Sequence, residues 1–290
     1  MFLVPIIKRI GFKYGILDIP NERKQHNKPI VSLGGVAITF SCIIILFTLS
    51  KIIPQTIDFL IDKKYYTLFI CLVLSFLLGL IDDIFTISPW PRLSIQFLLA
   101  SFLWSAGISI DTLNFDWVND SNFILYLPKI FSFILTSIWL VGFTNSLNWI
   151  DGLDGLAGGI TLISLIGHII ISCVLKNNNL IYLSLILLGS ILAFLRFNKK
   201  PASILMGDGG SYFLGYSLGS ISIINYSDKI TYPFFVAILL FSVPLLDMIY
   251  VIFNRVRGGK SPFKADRAHI HHRLINRGYS QMETTLLLLS

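Results

Sequence analysis

Two adjacent carboxylates, Asp82 and Asp83, end one of the apolar stretches of this 290-residue sequence. Neighbouring negative charges repel each other, so at least one of the pair needs a cation or a proton close by. One carboxylate can then bind Mg²⁺ while the other acts as a general base. The simpler alternative is a solvated helix end, but acids at the mouth of an apolar segment favour a functional role.

A second polar group recurs at intervals of three residues, at Asn148, Asp151 and Asp154. On a helix this spacing places the three side chains on one face, where they can share a ligand. Oxygen ligands of this kind suit Mg²⁺ or Mn²⁺, and the glycines at 152 and 155 allow close backbone approach. The alternative is a polar loop with turn glycines.

A third acid, Asp208, stands between glycines immediately before another apolar stretch. A carboxylate at the start of a helix is a candidate for a metal or phosphate site. Asn198, Lys199 and Lys200 lie just upstream and are candidates for holding phosphate. Taken alone, a glycine-rich turn explains this segment equally well.

The stretch from 255 to 277 combines seven basic residues with His269, His271 and His272. This composition suits a polyanion such as a diphosphate, and we include His269 among the substrate-binding candidates. A zinc site and an anionic-lipid patch are alternatives, although no cysteine is nearby and lipid attraction does not explain three histidines. Asp247, about two turns inside the preceding apolar run, can pair with a base on the cytoplasmic side or form a hydrogen bond within the bundle, and we favour the structural role.

These residues must be positioned by membrane-spanning helices, because 54% of the sequence is hydrophobic and only 13% is charged. The three cysteines lie in apolar runs without metal-binding spacing, which excludes a disulfide framework. The net charge of +7 suits a membrane surface and anionic substrates rather than nucleic acid. We predict an all-α, polytopic transmembrane bundle with about eight complete spans. They lie near 31–50, 65–81, 93–110, 130–149, 157–175, 180–197, 211–225 and 232–253.

Residues 1–290 are expected to form a single integral membrane domain. Both ends resemble interrupted spans, so we expect an intact protein of about ten helices. When the loops are assigned alternately to the two sides, one side receives 17 of the 23 lysine and arginine residues and is predicted to be cytoplasmic. Five acids fall on the same side, as do the three histidines and His26; these acids are Asp82, Asp83, Asp151, Asp154 and Asp208. We therefore expect a multi-pass protein of the plasma (inner) membrane whose active site faces the cytoplasm.

Five segments resemble the polyprenyl-phosphate N-acetylhexosamine-1-phosphate transferases, which belong to glycosyltransferase family 4. They are DIPNERKQHNKP at 18–29 with the glycine pair at 34–35, IDD at 81–83, NSLNWIDGLDGLAGG at 145–159, MGDGGS at 206–211 and HIHHRL at 269–274. The resemblance covers nearly the whole chain in the expected order. The HIHH form is similar to the undecaprenyl-phosphate N-acetylglucosamine-1-phosphate transferases, whereas phospho-muramoyl-pentapeptide transferases carry consecutive histidines.

The resemblance implies transfer of a sugar 1-phosphate from a UDP-N-acetylhexosamine to undecaprenyl phosphate, with release of UMP. It assigns Mg²⁺ binding, with Mn²⁺ as a substitute, to Asp208 and Asn148. Asp82 would deprotonate or orient the lipid phosphate with the support of Asp83. The remaining roles are contact with the nucleotide by Asp151 and Asp154, with the diphosphate by His271 or His272, and with phosphate by Lys28 and Arg92. A lysine that typically follows the paired acids is absent here, and Arg92 is the candidate to replace it.

Other functions stay open at this stage. Within the family the alternative is a phospho-N-acetylmuramoyl-pentapeptide transferase. A membrane prenyltransferase would also place aspartates around Mg²⁺-diphosphate, but it would not need the histidine segment or the GDGGS segment. A transporter would place its charges near the middle of the bilayer rather than at one mouth. Membrane lipids are expected partners, and a homodimer is an open expectation.

Overall fold

The computed structural model describes residues 1–20, 28–53, 61–114, 124–227, 234–263 and 267–290. These residues form four short strands and twelve helices. The helices are α1 Leu3–Tyr14, α2 Gly34–Ile52, α3 Lys63–Phe85, α4 Pro89–Ser105, α5 Lys129–Ile150, α6 Leu156–Val174, α7 Asn178–Asn198, α8 Gly207–Ser227, α9 Phe234–Leu240, α10 Ser242–Arg257, α11 Ile270–Asn276 and α12 Gln281–Leu289. The strands are β1 Leu17–Asp18, β2 Ile30–Val31, β3 Thr112–Asn114 and β4 Ile124–Tyr126.

The predicted all-α architecture is confirmed, with two small antiparallel β-pairs as additions. β1 pairs with β2, and β3 pairs with β4. Among the described residues, five helices are long and apolar enough to cross a membrane, namely α2, α3, α5, α6 and α7. The chain is therefore a multi-pass helical membrane protein.

The centre of the bundle is α8, which contacts α2, α3, α5 and α6. Its residues from Gly209 to Tyr226 are all buried. The helix is rich in glycine and serine, and small residues let neighbouring helices approach closely in a membrane protein. Because other helices shield α8 on all sides, it does not need the hydropathy of a lipid-facing span.

The span predicted at 232–253 is wrong as a continuous helix, since it is divided at Phe241 into α9 and α10. Pro244 supplies the physical reason. In a continuous helix the carbonyl of Leu240 would accept a hydrogen bond from the N–H of residue 244, which proline lacks. The hydroxyl of Ser164 on α6 donates to that carbonyl instead, at 2.6 Å. The span predicted at 93–110 is displaced toward the N-terminus, since α4 begins at Pro89 and ends at Ser105 before a turn at Gly107.

Candidate active site

The paired acids at the end of α3 meet the first turn of α8. The carboxylate of Asp83 accepts hydrogen bonds from the backbone N–H groups of Asp208 and Gly209, at 2.8 and 2.9 Å. A helix begins with N–H groups that lack partners within the helix, and a carboxylate there is favoured by both hydrogen bonding and the helix dipole. Asp83 therefore fixes the start of α8 against the end of α3 and so places Asp208.

The carboxylate of Asp82 is held by three donors. Its Oδ2 forms an ion pair with Arg92 at 2.8 Å and accepts the hydroxyl of Tyr212 at 3.1 Å. Its Oδ1 accepts the backbone N–H of Ile87 at 2.7 Å. Asp82 is only 4% exposed, so the structure presents it as a positioned buried anion. Arg92, which the sequence predicts to hold phosphate, is paired with Asp82 in the structure, and its phosphate role stays a prediction.

The two residues predicted to bind metal lie in contact. The amide nitrogen of Asn148, near the end of α5, donates to Asp208 Oδ1 at 2.7 Å and to the hydroxyl of Ser211 at 3.1 Å. The carboxyl groups of Asp82 and Asp208 line the same cavity. Two carboxyl groups that share a site favour a proton or a cation between them.

The side chains of Asp82, Asn148 and Asp208 line the main cavity of the site, which has a volume of about 590 Å³. Four acids of the predicted site, Asp82, Asp83, Asp151 and Asp208, share it. In the described part of the chain, no three Asp, Glu, His or Cys side chains converge closely enough to form a complete protein metal site. The donor set nevertheless fits Mg²⁺, which takes one or two carboxylates and fills its other positions with water and substrate phosphate.

The side chains of Asn148, Asp151 and Asp154 do not share one helical face, so that prediction is wrong. α5 ends at Ile150, and the chain then turns through Gly155 with a φ of 76°. Asp151 stays in the main cavity, whereas Asp154 Oδ2 accepts the backbone N–H of Ala202 at 2.9 Å and lines a second cavity. The helical spacing fails because the glycines of this segment support a turn.

The second cavity, of about 430 Å³, also contains Lys28 and Lys200. Lys28, which is predicted to hold phosphate, therefore lies outside the main cavity. Asn198 lies at the edge of the main cavity, where it connects two loops. Its Oδ1 accepts the N–H of Gly155 at 3.1 Å and its Nδ2 donates to the carbonyl of Ile204 at 3.0 Å.

The histidine segment is anchored by Asp247. The carboxylate of Asp247 forms a hydrogen bond with His269 Nδ1, at 2.8 Å, and accepts another from the N–H of Ile270, at 2.7 Å. Asp247 therefore pairs with a histidine of the histidine segment, which is the alternative to a purely structural bond within the bundle, and His269 is held by protein. The ring of His271 is sandwiched, with centroid distances of 5.7 Å to His269 and 4.3 Å to His272.

The histidine segment approaches the main cavity at Gly152, which lines that cavity and lies next to His271. A Cβ atom at position 152 would overlap Nε2 of His271, so only glycine admits the imidazole there. Burial, followed by the neighbouring His272 and His269, lowers the pKa of His271 from 6.5 to about 3. His271 is therefore neutral near pH 7 and offers hydrogen bonds rather than charge. His26 lies outside the described residues.

Two residues of the site have no assigned role in the sequence-based prediction. Asp18 lines the main cavity because the pairing of β1 with β2 brings it there. Its presence in the first of the five resembling segments is the signal that could have identified it. Tyr212 contacts Asp82 from one turn beyond Asp208, and nothing in its sequence position distinguishes it from a core tyrosine.

The acidity of the cavity leads to a prediction about stability and pH. Burial and then the charges of Asp208, Asp154 and Asp18 raise the pKa of Asp151 from 3.8 to about 8. Between pH 4 and 8 the folded protein thus holds a proton that the unfolded chain has released, so stability decreases as pH rises. We expect the melting temperature of metal-free protein to fall from pH 5 to 8, and Asp151→Asn to flatten the decline. A decline of unchanged slope in the variant would assign the effect to other groups.

The arrangement as a whole defines a class: a helical membrane enzyme with a polyacidic cavity at the ends of its helices, suited to cation-assisted chemistry on phosphates. The family model of Glycosyl transferase family 4 matches residues 65–226. A probable undecaprenyl-phosphate N-acetylglucosaminyl 1-phosphate transferase of Bacillus subtilis is 32% identical over 99% of this chain and 77% of its own length. The protein belongs to glycosyl transferase family 4.

Two further relatives carry similar descriptions. An undecaprenyl-phosphate alpha-N-acetylglucosaminyl 1-phosphate transferase of Thermotoga maritima is 29% identical over 100% of this chain and 82% of its own length. The protein of that name from Escherichia coli strain K12 is 27% identical over 97% of this chain and 75% of its own length. The family predicted from the five segments is confirmed.

Proposed function

We propose that the protein transfers N-acetylglucosamine 1-phosphate from UDP-N-acetylglucosamine to undecaprenyl phosphate, releases UMP and so begins the synthesis of an envelope glycan. The observation that carries the proposal is the meeting of Asp82, Asp83, Asn148 and Asp208 in one cavity, from three helices far apart in sequence. The relatives are named for this reaction class, a polyprenyl carrier and N-acetylglucosamine.

Charge balance supports a requirement for Mg²⁺ in this reaction. The cavity holds five carboxyl groups, and the structure places Arg92 in an ion pair with one of them. A nucleotide diphosphate and a lipid phosphate would add further negative charge, which repels the carboxylates unless a cation intervenes. Asp208 and Asn148 would hold Mg²⁺, and Asp151 lies in the same cavity. When bound, Mg²⁺ neutralises phosphate charge and polarises the transferred phosphoryl group.

The residues of the chain then act mainly by positioning. A phosphate monoester has a second pKa of about 6, so the acceptor phosphate is largely ionised near pH 7 and needs little help from a base. It attacks the sugar-bearing phosphorus of the donor, and the bond from that phosphorus to the oxygen of UMP breaks. Because Asp82 already accepts three hydrogen bonds, its contribution lies in orienting its neighbours and in electrostatics. Its predicted role as a base is not needed for this chemistry.

The function is tested by UMP release from purified protein given undecaprenyl phosphate and a panel of UDP-sugars. We expect turnover with UDP-N-acetylglucosamine. In direct competition with the muramoyl-pentapeptide nucleotide, the lipid product should carry N-acetylglucosamine when analysed by mass. A muramoyl-pentapeptide product would overturn the choice of donor but keep the reaction class. No UMP release with any nucleotide would overturn the function.

We also propose that the bundle has eight spans, with the cavity on the cytoplasmic side of the plasma membrane. The cavity joins the C-terminal ends of α3 and α5 to the N-terminal ends of α4 and α8. Helices that cross alternately bring these ends to one side, which requires α4, α8 and the α9–α10 pair to cross as well. The excess of lysine and arginine on that side supports its cytoplasmic location.

The orientation is tested by single cysteines at Lys199 and Lys176, at opposite ends of α7. The exposed Cys173 is first replaced by alanine to remove background labelling. We expect an impermeant thiol reagent applied to intact cells to label the cysteine at 176 and to spare the one at 199. Labelling at 199 alone would reverse the orientation.

A further inference from the structure

Tyr212 is a fully buried side chain one helical turn beyond Asp208 on α8. Its hydroxyl donates to Asp82 Oδ2 at 3.1 Å, and the same oxygen accepts Arg92 at 2.8 Å. The guanidinium carbon of Arg92 lies 6.0 Å from the centre of the tyrosine ring. We infer that Tyr212 is a positioning residue for the proposed transfer reaction: together with Arg92 it sets the orientation of the Asp82 carboxylate toward Asp208.

The use of this hydroxyl distinguishes Tyr212 from an ordinary core tyrosine. A buried tyrosine hydroxyl needs a hydrogen-bond partner, and a backbone carbonyl is sufficient. Tyr216, one turn further along the same helix, is also buried, and its hydroxyl donates to the carbonyl of Leu99 at 3.0 Å. Tyr212 donates instead to a carboxylate of the acid cavity, and a hydrogen bond to an ionised acceptor is both stronger and more directional.

The geometry shows what the hydroxyl does for the site. Ile87 fixes Oδ1 of Asp82, while Tyr212 and Arg92 approach Oδ2 from two different elements, α8 and α4. Because Asp82 and Asp208 line the same cavity, the orientation of the Asp82 carboxylate affects the distance between its oxygens and those of Asp208. That distance controls how well a divalent cation and the phosphates are held. Partners of this kind typically change metal affinity or activity by about 10–100-fold when they are removed.

The inference rests on the proposed function, because its kinetic test measures UMP release. A second measurement, the thermal stabilisation of the protein by Mg²⁺, does not depend on turnover. The test compares Tyr212→Phe with Tyr216→Phe, since both changes remove one buried hydroxyl from the same helix. For Tyr212→Phe we expect UMP release to fall about 10-fold or more in kcat. We also expect the Mg²⁺ concentration for half-maximal activity to rise, while KM for the UDP-sugar changes less than about 2-fold. For Tyr216→Phe we expect kcat and the Mg²⁺ requirement of the wild type.

Metal-induced thermal stabilisation of the purified variants provides a readout independent of turnover. Adding Mg²⁺ or Mn²⁺ should raise the melting temperature of the wild type and of Tyr216→Phe at the same metal concentration. Tyr212→Phe should need a concentration several-fold higher for an equal rise. Metal response and kcat equal to the wild type in Tyr212→Phe would overturn the inference, as would equal losses in both variants. Absence of UMP release by the wild type would overturn the proposed function alone, because the metal titration still decides the role of Tyr212.

Discussion

Exchanging Asp208 for asparagine is expected to lower UMP release by at least about 100-fold while the protein remains folded. Loss of residues that support metal ligands costs about 10–100-fold, so loss of a direct ligand should exceed that range. Asparagine keeps the shape and the acceptor oxygen that meets Asn148, but it lacks the charge that attracts Mg²⁺. The activity of the wild type should vanish with a chelator and return with Mg²⁺ or Mn²⁺.

The stability of the Asp208→Asn variant should be unchanged or slightly raised, because the substitution removes one acidic group from a cavity shared by five. Asp111→Asn serves as the matched control. Asp111 accepts hydrogen bonds from the hydroxyls of Ser109 and Ser132, at 2.7 and 2.6 Å, and is not part of the acid cavity. The control should keep its activity. Full turnover by Asp208→Asn would remove Asp208 from the proposed metal site.

Hydropathy determines which helices can face lipid, whereas packing determines the shielded helix and the helix breaks. Helices that face lipid must be apolar, so the five long apolar helices were predictable from composition along the chain. The shielded helix α8 does not follow this rule, and its span was predicted only over 211–225, which is shorter than the helix in the structure. The break at Phe241 was also missed, although Pro244 was visible in the sequence, because proline is tolerated in membrane helices when a neighbour satisfies the freed carbonyl.

The site shows the same division between local and distant information. Acids at helix ends were recognisable from their neighbours in the chain, and four of them do share one cavity. The environment of each acid depends on residues more than 100 positions away. Asp83 accepts hydrogen bonds from the backbone N–H groups at 208 and 209, and Asp82 accepts one from the hydroxyl of Tyr212. No pattern within one segment contains that information. The placement of Asp154 failed for a related reason, since the end of α5 at Ile150 interrupts the helical spacing.

The close approach of α3 to α8 makes Gly79→Ala a strongly damaging small substitution outside the acids themselves. A Cβ atom at position 79 would overlap the backbone carbonyl of Asp208 and the nitrogen of Gly209. Backbone atoms cannot rotate away, so the two helices must separate at the point where Asp83 caps α8. A displacement of about 1 Å at a reacting centre can cost about 100-fold in rate. We therefore expect a loss of activity of that order.

Stability should fall in the same variant, because overpacking costs about 1–3 kcal/mol and exceeds the gain of up to about 1 kcal/mol from placing alanine in a helix. Gly189→Ala on α7 is the matched control, since no atom lies within 4 Å of its added Cβ. The control should retain full UMP release and melt at or slightly above the wild-type temperature. The measurements are UMP release and thermal unfolding in one detergent. Wild-type activity in Gly79→Ala would mean that the contact between α3 and α8 does not position Asp208.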